Sequence, residues 1–156
     1  MPQTFPSRVR SLVLRSHFEV QQELDRVRAV LSETECKGRT CADEAYVRLA
    51  ELTRQLFEHM ADLLDLEDEL LLPALREADA WGEVRSEELV RLHEQQWQAL
   101  KGLRGRATEC RALCDALQEI AQLSRALYGE LLVEDRDLLA PDVLRDDVLG
   151  IDVEGG

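Results

Sequence analysis

The chain has 156 residues, 45% of them hydrophobic, which is enough for one compact domain with its own core. Only 4% are aromatic, and leucine carries most of the apolar content, a composition that favours helices over sheets. A formal net charge of −13 argues against nucleic acid as a partner and disfavours an anionic membrane surface, because both would repel it.

The N-terminal stretch MPQTFPSRVRSLVLRSHF interrupts every short apolar run with Arg, Ser or His, so no signal peptide is expected in it. No apolar run approaches the roughly 20 residues that cross a bilayer. The expectation is a soluble cytoplasmic protein, in which four cysteines are thiols or metal ligands rather than structural disulfides.

The first predicted helix carries a seam at alternating spacings of three and four: Val13, His17, Val20, Leu24, Val27 and Leu31. The loop CKGRTC, Cys36–Cys41, contains Gly38 and ends it, and Thr40 with Asp43 can cap the second helix. The second seam reads Leu49, Leu52, Leu56, His59, Leu63, Leu66 and Leu70. Pro73 is expected to stop that helix within a few residues, and ADAWGEVRS forms the next turn, with Trp81 a packing residue in it. The third seam is Leu89, His93, Gln96, Leu100, Leu103 and Ala107, weakened at its end by Gly102 and Gly105. Thr108 is a candidate cap for the fourth helix, whose seam is Leu113, Leu117, Ile120, Ser124, Leu127 and Leu131 and which Pro141 ends. Residues 143–156 are acidic with scattered apolar positions and are expected to be a disordered tail, leaving residues 1–142 as the folded domain. Short connections between long helices imply antiparallel neighbours. The fold class read from the sequence is therefore all-α, an up-down-up-down antiparallel four-helix bundle.

The chain also repeats itself. LLDLEDELLLPAL (Leu63–Leu75) returns in altered form as LLVEDRDLLAPDV (Leu131–Val143). Leu63, Glu67 and Pro73 answer to Leu131, Asp135 and Pro141, 68 residues on. His17 and His93 head similar runs 76 residues apart, and the tripeptide TEC occurs at Thr34–Cys36 and Thr108–Cys110. Two related helical hairpins packed together account for these echoes.

A histidine on helix one, a carboxylate with proline six residues later at the end of helix two, and the same pair again on helices three and four resemble the hemerythrin-like, HHE cation-binding family. The resemblance spans roughly residues 8–142. It implies a four-helix bundle holding iron, usually as a di-iron centre, between its helices. Carried over position by position, it implies His17 and His93 as nitrogen ligands and Glu67 and Asp135 as oxygen ligands. The family's histidines four residues before those carboxylates are replaced here by Leu63 and Leu131. The implied set therefore suits one ion better than two, with iron expected and a role in sensing or handling iron, dioxygen or nitric oxide. The same two leucines also fit an alternative: a bundle that has lost its metal and serves as an interaction or regulatory module.

Plainer readings stand beside these. A seam histidine is commonly a hydrogen-bonded core residue, and Glu67 and Asp135 each sit among other acids that could form a solvated face. A turn centred near residue 38 would put His17 opposite His59, about two helical turns from Glu67. Cys36, Cys41, Cys110 and Cys114 lie near one end of an up-down bundle, where they could hold zinc, form a redox-sensitive disulfide, or simply pack. No nucleophile is paired with a base and no glycine loop could cradle phosphate, so turnover of an organic substrate is not expected.

Overall fold

The computed structural model describes residues 5–37, 42–109 and 113–146. They are helical, with no strand among the described residues. In chain order come α1 (Pro6–Lys37), α2 (Ala42–Leu66), a π-helical turn (Glu67–Leu71), α3 (Leu72–Ala78), α4 (Gly82–Glu109) and α5 (Leu113–Asp137). α1 packs on α2 and α5, and α4 packs on α5, α2 and α3, so four long helices surround one core.

The apolar spacing explains which faces meet. Val13, Val20, Leu24 and Val27 of α1, Leu49, Leu56, Met60 and Leu63 of α2, Leu89, Leu100 and Leu103 of α4, and Ile120, Leu127 and Leu131 of α5 are all buried. Each such side chain contributes roughly 1.5–3 kcal/mol when removed from water. The second seam is corrected at one position. Met60 fills the core where the sequence pointed to His59, whose ring is 55% exposed. Trp81, expected to pack, is exposed, whereas Trp97 meets Phe57 of α2 edge-on at 5.7 Å between ring centroids.

Pro73 does not stop the second helix as its sequence position suggested. The ladder widens first: the backbone N–H of Leu72 bonds to the carbonyl of Glu67, five residues back, and α3 then restarts with Pro73 in its first turn. There the missing N–H of proline costs little, since the first turn's donors have no intrahelical partner. The chain finally turns at Asp79, whose carboxylate accepts hydrogen bonds from the Trp81 backbone N–H (2.8 Å) and from Arg85. Gly82 opens α4 pressed against the preceding helix, where a Cβ would stand 2.4 Å from the carbonyl oxygen of Leu75. Only glycine fits that approach.

The packed region also reaches beyond residue 142. Val143 and Leu144 are buried, Asp146 accepts hydrogen bonds from the backbone N–H and hydroxyl of Ser7, and Arg10 Nε donates to the Leu139 carbonyl. Apolar side chains at 143 and 144 explain this, since they join the buried cluster that also holds Val9 and Val13 of α1. Residues 147–156 lie outside the described residues.

Candidate metal centre

Four helical segments each bring a titratable group to one level of the core. His17 comes from α1, Glu67 from the π turn, His93 from α4, and Glu134 with Asp135 from α5. Glu67 and Glu134 are fully buried, and His17 is 1% exposed.

The histidine rings and carboxylates alternate. His17 Nε2 lies 2.5 Å from Glu67 Oε1 and 3.2 Å from Glu134 Oε2, while its Nδ1 lies 2.6 Å from Asp135 Oδ1. The other oxygen of Glu67 lies 2.7 Å from His93 Nε2, and His93 Nδ1 faces Asp68 at 3.1 Å. Ionised carboxylates only accept hydrogen bonds, so both nitrogens of His17 and Nε2 of His93 donate. Burial works against charge on His17, but the carboxylates of Asp135, Glu134 and Glu67 around it outweigh this and hold the ring's pKa well above the usual histidine value. Burial likewise opposes charge on His93, and Glu67 raises its pKa. Burial favours the neutral acid at Glu67, yet the two imidazoles bring its pKa below the ordinary range. At Glu134 burial dominates, joined by the charge of Glu67, and pushes the carboxyl up to about 7 against the pull of His17.

Two acceptors in this network are left over. Glu134 Oε1 takes the amide N–H of Gln96, a fully buried residue of α4, but Gln96 Oε1 has no hydrogen-bond partner, and Glu134 Oε2 meets only the His17 ring, across 3.2 Å and outside hydrogen-bond geometry. Buried unpaired acceptors are uncommon and cost free energy, which makes them a mark of a missing donor or cation. One nitrogen each of His17 and one oxygen each of Glu67 and Glu134 lie within 4.8 Å of one another, the one group of its kind among the described residues. Donors about 2.1 Å from a shared ion stand roughly 3–4 Å apart, so His17 and Glu67, now 2.5 Å apart across a hydrogen bond, would part slightly to admit one.

All four residues expected as ligands thus meet at one place, in unequal roles. His17 and Glu67 lie at the centre. His93 is held on the far oxygen of Glu67. Asp135, 28% exposed, contacts the outer nitrogen of His17 and receives a longer hydrogen bond from Gln21 (3.4 Å). The residue that the sequence reading missed is Glu134. A backbone detail explains the miss. The Leu139 N–H bonds to the Glu134 carbonyl at 3.0 Å, five residues back, as Leu72 bonds to Glu67. Glu67 and Glu134 are therefore equivalent, 67 residues apart, and the 68-residue offset of the leucines and prolines led to Asp135 instead. The seam Ser124, Leu127, Leu131 continues at spacing three to Glu134, which was the available signal.

His59 does not approach His17. It pairs through Nδ1 with Glu23 of α1, well away from the centre. Of the cysteines, Cys41 and Cys110 lie outside the described residues, as do the side chains of Cys36 and Cys114. No helix among the described residues is long and apolar enough to cross a membrane. No protein-family model matches the chain, and no curated protein or solved structure is significantly similar to it.

Proposed function

We propose that this chain is a hemerythrin-like, up-down-up-down bundle that binds a single divalent ion of the iron class through His17, Glu67 and Glu134. The observation that carries this reading is the buried His17–Glu67–Glu134 triangle, in which Glu134 Oε2 has no hydrogen bond and meets only the His17 ring. A cation in the triangle would supply what Glu134 Oε2 lacks. One imidazole and two carboxylates form a hard to borderline donor set, suited to iron or manganese rather than to copper(I). Asp135 on the outer nitrogen of His17 fixes the ring and raises its basicity, as carboxylates do behind metal-bound histidines. His93 orients Glu67 from the other side. Bound iron would supply open coordination positions for a small ligand such as dioxygen or nitric oxide, which fits a sensing or handling role.

The second reading, a metal-free interaction or regulatory bundle, is favoured by one observation. Leu63 and Leu131 are completely buried in the core, one turn from the acids and contributing packing in place of ligation. Metal analysis of the reduced protein after exposure to ferrous iron, manganese and zinc separates the two. The first reading expects a single ion per chain, lost in His17→Ala and Glu134→Gln and retained in Cys110→Ser. Loss only in Cys110→Ser moves the ion to the thiols, and no ion in any sample leaves the metal-free bundle.

A further inference from the structure

Resting on the metal-site reading, we infer that the ion reaches the buried triangle through the open groove beside His93, and that Asp68 captures it at the mouth. Glu67 and Glu134 have no exposed surface, so an ion needs a route past a movable side chain. The groove holds about 670 Å³ and is lined by Asp68, Leu72, Val90, His93, Trp97 and, further along, Lys101. Six waters around an ion occupy roughly 180 Å³ at about 30 Å³ each, so a hydrated ion fits with room to spare. At the floor stands His93, 7% exposed, whose inner nitrogen touches Glu67 and whose outer nitrogen touches Asp68. Asp68 is 58% exposed, so one carboxylate contacts both the solvent and the ring that closes the way inward. Glu94 adds a second negative charge to the wall, whereas Lys101 lies seven residues, about 10 Å, beyond it along α4.

The opposite side is a poorer entrance. Asp135 is only 28% exposed there, and the His17 ring that separates it from Glu67 and Glu134 is held by three carboxylates, where His93 is held by two. On the groove side, an ion bound by Asp68 takes away the partner of His93 Nδ1. The ring, then held by Glu67 alone, is freer to turn and let the ion pass to the inner carboxylates.

The test follows uptake of cobalt(II) by the reduced, metal-free protein in stopped flow, and its release to a chelator. Val90→Trp places a plug in the groove at a half-exposed position that holds no ligand, so folding and the final cobalt content should be unchanged. Uptake and release should each slow by about tenfold. In Asp68→Asn uptake should slow and lose part of its dependence on ionic strength. Full cobalt binding with wild-type uptake rates in both variants would overturn the route while leaving the site in place. Failure of the unaltered protein to bind cobalt would remove the site and the route together.

Discussion

Two carboxylate–histidine pairs tie α1 to the second helical rod, and they differ in almost everything but composition. Glu67 and His17 are sealed in the core and share their charges with His93, Glu134 and Asp135. Glu23 is also buried and also keeps one oxygen without a hydrogen bond, yet its partner His59 opens to water, and among the described residues no further titratable group completes a three-donor cluster there. Burial and connectivity decide what such a pair can do. The outer pair is a fastening between helices, whereas the inner one belongs to a buried network of shared protons, which the proposed cation would displace.

The largest contrast should come from removing one acid. Glu67→Ala strands two buried imidazoles and should cost about 3–5 kcal/mol of metal-free stability, read by urea denaturation. Glu134→Gln keeps shape and sharpens the comparison differently. It should abolish metal binding while leaving metal-free stability equal or slightly higher, because a buried carboxylate with an orphaned oxygen becomes a neutral amide. Asp135→Asn acts one bond further out and should weaken metal affinity by about 10–100-fold without abolishing it, measured by competition with a chelator.

The pH response should separate the two regions next. The carboxyl of Glu134 is pushed up to about 7 when folded, against about 4.3 in the unfolded chain, so the folded state holds an extra proton between those values. Stability accordingly falls as pH rises through that window. His17, raised above its usual value of about 6.5, extends the decline: its contribution is complete below about 6.5 and is lost as pH rises through the folded value. Glu67 acts at the acid end, contributing above about 4.3 and losing that contribution as pH falls through its lowered value. Thermal unfolding of metal-free protein should therefore show greatest stability near pH 5. Metal affinity should rise with pH, because binding displaces these same protons. The smallest effect on metal binding belongs to the outer pair. His59→Ala leaves the Glu23 carboxylate without its partner but open to water through the gap, and should cost about 1–3 kcal/mol, with metal content unaffected.

Much of this was legible in the sequence, and the failures share a cause. Spacings of three and four located the long helices and put His17, Leu63, His93, Gln96 and Leu131 on buried faces. That reasoning assumes an unbroken 3.6-residue period. It went astray where the period breaks, at the wide turns following Glu67 and Glu134, which shifted the second acid by one position and carried the helix past Pro73. His59 was misplaced because it neighbours the true core residue Met60 and one-residue ambiguity is hard to resolve from a sparse apolar pattern. Val143 and Leu144 were missed because two leucine-like side chains amid acids carry no periodicity at all.

The widened turn at Glu67–Leu71 has one more implication, for how this rod tolerates shortening. Excising a single amino acid there would let the ladder heal into ordinary α geometry, a change that usually relaxes a backbone. The rods on either side would keep their phase, because the wide turn fits about five residues where an α turn fits about four; only side chains within it, Asp68 among them, would be re-aimed. Regularity and side-chain aim are opposed at this spot, and a search for sturdier variants would be drawn towards those that lose that aim.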